Sequence, residues 1–178
     1  MMKWESEDAA REYFEVLRWP DGPVCVHCGS RDSAWALTPR EGSSTRKGLW
    51  KCKVCRKQFR VTLGSIFAHS HIPLCSWLEV IELLCTTKRG ISARELCTAA
   101  GFGSYRTATG IYRRLRWALT QEPMTHLRRC RRPQGEKGLL LPYKFEKAVR
   151  ALLCVKVGPH EPGTTPVTKG EDSNWLLP

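Results

Sequence analysis

Residues 25–55 read CVHCGSRDSAWALTPREGSSTRKGLWKCKVC, two Cys-x2-Cys pairs separated by 23 residues. Two thiolates three positions apart on a tight turn can face one ion. Two such turns brought together by hairpin strands place four sulfurs at the corners of a tetrahedron around Zn²⁺. Four sulfurs leave no open position for water, so the expected role of the single ion, held by Cys25, Cys28, Cys52 and Cys55, is structural. A redox Cys-x2-Cys needs a helix N-terminus to lower the thiol pKa, and here Gly29 follows Cys28 with no helical period behind it. An iron–sulfur cluster held by the same four thiolates is the other metal reading.

The flanks support the metal. AWAL (34–37), LWKC (49–52) and QFRVTL (58–63) read as short strands, the last with Phe59, Val61 and Leu63 alternating with polar residues. The loop PREGSSTRKG between the first two has no apolar anchor, so the region buries too little surface to fold unaided. Metal binding supplies that folding free energy. His27 sits between two ligands and is expected to be exposed. His69 and His71 lack a third donor and read as loop residues.

Upstream, ESEDAAREYFEVL (5–17) has helical period and is stopped by RWPDGP. Downstream, after the link GSIFAHSHIP, Leu74, Trp77, Leu78, Ile81, Leu84 and Cys85 form the stripe of a helix that starts at Pro73 and is expected to end by Gly90. ISARELCTAAG follows, with Ser92 and Glu95 at capping-box spacing. After the turn GFGS, Ser104 caps a third helix running to about 121, whose apolar stripe is Ala108, Ile111, Tyr112, Leu115, Ala118 and Leu119. Cys75, Cys85 and Cys97 read as small buried hydrophobes, while Cys130 and Cys154 have no evident partner. The expected fold is α+β, in four parts: an N-terminal helix and turn (1–22), a four-cysteine zinc ribbon (23–68), a helix-turn-helix-like unit (69–122), and a degenerate or disordered tail (123–178) with one short helix at 143–153.

The chain has 178 residues and a formal net charge of +12, an excess that favours polyanionic partners. It is unevenly placed: residues 1–20 carry five acids against three bases, residues 101–132 eight arginines against Glu122. On the third helix Arg106, Arg113 and Arg116 recur opposite the apolar stripe, and Ser104, Tyr105 and Thr107 stand near its N-terminus. In a helix-turn-helix, residues so placed contact bases or backbone of double-stranded DNA. The competing reading is a zinc-ribbon protein-interaction or scaffold module with solvated arginines. No run of 18 apolar residues offers a membrane span, and the acidic N-terminus is unlike a secretory signal. A cytoplasmic protein, associated with the bacterial nucleoid and without a membrane partner, is expected.

RWPDGPVCVHCGS, LWKCKVCRKQFRVTLGSIF, PLCSWLEVIELL, KRGISARELC and SYRTATGIYRRLRWAL, occurring in that order, resemble the N-terminal part of bacterial insertion-sequence transposases that begin with a zinc ribbon and continue into an acidic-triad (DDE) catalytic domain. The resemblance covers about residues 10–121. It implies a ribbon liganded by the same four cysteines, a helical segment that recognises element ends, and a ribonuclease H-like domain beginning soon after the third helix. The sequence departs there. After Glu122 it offers only Glu136, Glu146, Glu161, Glu171 and Asp172, whereas two-metal chemistry needs carboxylates converging from a large sheet. The expectation is therefore a truncated transposase with no catalytic residues and no enzymatic activity, its remainder an out-of-frame tail. Translating the downstream nucleotides in all frames tests it.

Overall fold

The computed structural model describes residues 6–38, 47–87, 90–127, 141 and 144–157. The expected disordered tail from residue 158 onward lies outside them, as do Cys130 and the arginines at 128–132. The architecture is mixed α+β. Helix α1 (Glu7–Arg18) leads into strands β1 (Ala34–Leu37), β2 (Leu49–Cys52) and β3 (Gln58–Phe59). Helices α2 (Leu74–Thr86), α3 (Ala93–Ala99), α4 (Tyr105–Ala118), the single turn α5 (Met124–Leu127) and α6 (Phe145–Cys154) follow.

Ser6 starts α1 by accepting the Ala9 N–H at 3.1 Å, with Glu7 and Asp8 in the first turn where the helix dipole favours them. Its buried stripe is Ala10, Phe14 and Leu17. The three strands form one antiparallel sheet in the order β1-β2-β3, with Trp35 opposite Lys51 and Lys51 opposite Gln58. Because side chains alternate across a strand, Trp50 and Phe59 lie on the other face. Both meet Trp19 edge-on, at ring centroid distances of 6.1 and 5.6 Å. Trp50 also donates its indole N–H to Glu15 at 3.2 Å. The ribbon is thereby packed on α1.

The third strand is shorter than its alternation suggests: β3 ends at Phe59, and residues 61–69 form successive turns with Gly64 and His69 at positive φ. The cause is Arg18, whose guanidinium donates to the carbonyls of Val61 and Leu63, the latter at 2.8 Å. Carbonyls that would face a neighbouring strand are turned onto one cation. The link that follows is not a surface tether either. Ser65, Ile66, Phe67 and Ala68 are buried, and Phe67 packs edge-on against Phe14 at 4.9 Å and Trp77 at 5.2 Å.

Helix α2 buries Trp77, Leu78, Val80, Ile81 and Leu84 and ends at Thr86, before Gly90. Its N-cap, Pro73, has no side-chain donor or acceptor, and the role passes to α1: Glu7 accepts the N–H groups of Leu74 (2.9 Å) and Cys75 (3.3 Å). Helix α3 opens on the reciprocal Ser92/Glu95 capping box. It closes in a Schellman turn, with Phe102 N–H bonded to Cys97 O at 3.0 Å, Gly101 N–H to Thr98 O at 3.3 Å, and Gly101 at φ +64°. Positive φ is what a residue with a side chain resists at that point. The turn folds α3 against α4.

Helix α6 falls where the sequence marks a short helix, and its placement is the larger finding. It buries Ala148, Val149, Ala151, Leu152 and Leu153 and packs on α1 and α2. Phe145 stacks on Tyr13 at 6.1 Å, and the backbone N–H of Leu141 donates to Leu84 O at 3.2 Å. Residues 144–157 are therefore part of the core, which also takes in the ribbon's Cys25, Cys52 and Phe59.

Candidate metal centre and cationic helix

The two cysteine knuckles are built alike. In the first, Cys25 N–H donates to Ser30 O (3.0 Å); in the second, Cys52 N–H donates to Lys57 O (3.1 Å), so each turn closes five residues on. Each has a left-handed residue directly after its second cysteine, Gly29 (φ +72°) and Arg56 (φ +60°). Such a conformation is free for glycine and strained by roughly 1–2 kcal/mol for arginine. The β1–β2 hairpin delivers Cys52 from the end of β2 to the mouth of the first knuckle.

The result is a four-sulfur cluster. The Sγ atoms of Cys25, Cys28, Cys52 and Cys55 all lie within 4.8 Å of one another, with Cys25 to Cys55 at 3.6 Å and Cys28 to Cys52 at 3.7 Å. A tetrahedron with metal–sulfur bonds of about 2.3 Å has edges of about 3.8 Å. Two of the edges match that size and the rest lie within 4.8 Å, so the cluster is of a size to hold one ion. None of the four is in a disulfide. Cys25 and Cys52 are buried, Cys55 half-buried and Cys28 exposed, so one edge of the site faces solvent.

Among themselves the thiols compete for charge. The backbone N–H groups of Cys55 and Val54 favour the thiolate of Cys52 and lower its pKa to about 7. Cys28 gains a similar hydrogen bond from the Ser30 backbone, but desolvation and the three neighbouring thiols outweigh it and push its pKa up to about 11. A bound cation would remove that competition, since metal ligation takes all four as thiolates.

The histidines stay outside the site. His27 is exposed and its Nε2 lies 3.1 Å from Gln58 O, tying the first knuckle to β3. His69 and His71 are exposed and belong to no ligand cluster among the described residues. Cys75, Cys85 and Cys97 are half-buried on their helices, and burial pushes the Cys85 thiol up to about 12. Cys154 is exposed on α6.

The residues singled out on the third helix divide by role. Ser104 accepts the Arg106 N–H at 3.2 Å and is spent as the α4 cap. Tyr105 is 57% exposed, Thr107 is half-buried, and Arg106, Arg113 and Arg116 are exposed along the side opposite Ala108, Ile111, Leu115 and Ala118. The intervening Arg114 turns the other way. It donates to Ile66 O (3.2 Å) and Ala68 O (3.1 Å), and burial lowers its pKa. With Arg18 it brackets the link between ribbon and helices.

Sequence reading missed a second cationic surface, on the ribbon itself. Across the described residues 23–38 and 47–63 there are seven lysines and arginines against one acid, Asp32. Lys53, Arg56 and Lys57 are exposed around the second knuckle. The signal was present in KCKVCRK, but the cysteines dominate that stretch. No helix among the described residues is long and apolar enough to cross a membrane.

Comparison with protein families adds one finding. Residues 5–58 match the family model described as the transposase zinc-ribbon domain, a span that takes in α1 together with both cysteine knuckles, in keeping with the packing of Trp19 on Trp50. Neither the curated proteins nor the solved structures yielded a match. Residues 5–58 are thus similar to a transposase zinc-ribbon domain, and their four cysteines lie close enough together to hold one metal ion.

Proposed function

We propose that this chain is a zinc-dependent DNA-binding module of the transposase N-terminal kind, which grips double-stranded element-end DNA through the outer face of α4 and does not itself cut or join strands. The observation that carries the reading is the sorting of arginines on α4. Arg114 is drawn inward to the backbone of the link, while Arg106, Arg113 and Arg116 project on the exposed side. Three guanidinium groups along one exposed face, with no acid in the helix, make a cationic stripe of the kind that grips phosphates. The match of residues 5–58 to a transposase zinc-ribbon domain supports the same partner.

The zinc ion acts through the fold: held by four thiolates it would fix the ribbon, and the core shared with α1 and the link carries that rigidity towards α4. Among the described residues the cysteine set is the one group of three or more His, Cys, Asp or Glu close enough to share an ion. The test is DNA affinity by fluorescence anisotropy on the zinc-loaded chain. Wild-type binding to a duplex should fall by about 10³ between 50 and 200 mM salt if six phosphates are contacted. Replacing Arg106, Arg113 and Arg116 together with alanine should abolish most of it, and undiminished affinity would overturn the assignment.

A further inference from the structure

The ribbon sheet has an outer face that the core does not use. Strand pairing sets Trp35, Lys51 and Gln58 in one row across the three strands, opposite the inward Trp50 and Phe59. The row spans about 10 Å at ordinary strand spacing. Trp35 is 37% exposed, and among the described tryptophans it is the only exposed one: Trp19 and Trp77 are buried, Trp50 and Trp117 half-buried. Lys51 Nζ stands 5.8 Å from the Trp35 ring centroid, a cation–π distance that steadies both side chains. Gln58 is exposed, with an amide able to donate and accept. Lys53, Arg56 and Lys57 are exposed on the adjoining knuckle, within two to six residues of Lys51 along the chain.

We propose that this face is a second nucleic-acid contact, which takes a single strand of DNA by stacking an unpaired base on Trp35 in place of the Lys51 ammonium, which with Lys53, Arg56 and Lys57 then neutralises its phosphates. An exposed indole with a lysine over it and exposed cations on the adjoining knuckle, with Asp32 as the single acid nearby in sequence, has the composition of a stacking platform and of a polyanion site together. Paired bases present only their edges in a duplex groove, and their faces are already stacked. Trp35 therefore selects unpaired bases, whereas the site proposed on α4 takes a duplex. The inference rests on the reading of this chain as a DNA-binding protein, but it uses different residues from the α4 site.

The experiment uses the full zinc-loaded chain with a labelled oligothymidylate and, separately, a labelled duplex of the same length. Trp35→Ala should weaken binding of the single strand by about ten-fold, within the range for loss of one stacked base, and leave duplex affinity unchanged. Trp35→Phe should retain most single-strand binding. The triple alanine variant of α4 should do the converse, losing the duplex and keeping the single strand, so the two sites fail or stand independently. Equal affinity of Trp35→Ala and wild type for the oligothymidylate would overturn the proposal, as would an equal loss on both ligands, which marks Trp35 as structural. If Trp35→Ala does not retain zinc, Lys51→Gln decides: a loss confined to the single strand supports the site, and no loss refutes it.

Discussion

Helix α6 offers the sharpest test of how this chain is put together, because the sequence assigned residues 123–178 to a degenerate tail. Leu152 is fully buried where α6 meets α1 and α2. Leu152→Ala removes three carbon atoms, worth about 2.4 kcal/mol in transfer free energy at roughly 0.8 kcal/mol per buried group. A residual cavity adds to that, and buried Leu→Ala changes as a class fall at roughly 2.7–5 kcal/mol. About 3 kcal/mol is the expectation here, since a site near the end of a ten-residue helix can relax partly. For a domain of this size that lowers Tm by about 6–12 °C. Thermal melts by circular dichroism on the zinc-loaded protein, with urea titrations alongside, measure it; Lys147→Ala, at an exposed position of the same helix, should melt with the wild type. If Leu152→Ala and Lys147→Ala melt together with the wild type, α6 does not belong to the core and the packing described above is wrong.

Two further outcomes follow from the structure. Chelation should unfold the ribbon, and because zinc takes thiolates while Cys28 holds its proton up to a pKa of about 11, protons compete with the metal; lowering the pH from about 8 to 6 should weaken zinc binding by about ten-fold or more, measured by competition with a chromophoric chelator, and a pH-independent affinity would refute four-thiolate ligation. Glu7→Ala should destabilise the protein by about 1 kcal/mol, the usual worth of a capping side chain, since Glu7 caps α2 from another helix; the same change at Glu12, exposed further along α1, is the matched control for the melt.

Much of the molecule could be read along the chain because its determinants are local. The Cys-x2-Cys spacings need only a tight turn each to aim two sulfurs, so Cys25, Cys28, Cys52 and Cys55 announce a shared ion before any fold is known. The Ser92/Glu95 capping box, the Gly101 turn and the Ser104 cap are likewise three-to-six-residue devices, and the structure contains all of them. Strands AWAL and LWKC appear at their expected residues for the same reason.

What escaped the sequence depends on contacts between distant residues. Nothing about Arg18 or Arg114 distinguishes them from their solvated neighbours until the carbonyls of 61–68 are seen to converge on them, 43 to 48 residues away along the chain. That convergence ends β3 early, buries the link and divides the arginines of α4 into one that builds the protein and three that face outward. Glu7 looks like an ordinary first-turn acid of α1 and becomes the cap of α2 only across a separation of 67 residues. The stripe of α6 was legible as a helix, but a stripe does not name its partner; the complementary surfaces on α1 and α2 do. Local spacing thus determined the elements and the candidate metal ligands of this protein, while tertiary packing alone decided which arginines are structural and which are exposed, and that residues 141 and 144–157 belong to the core.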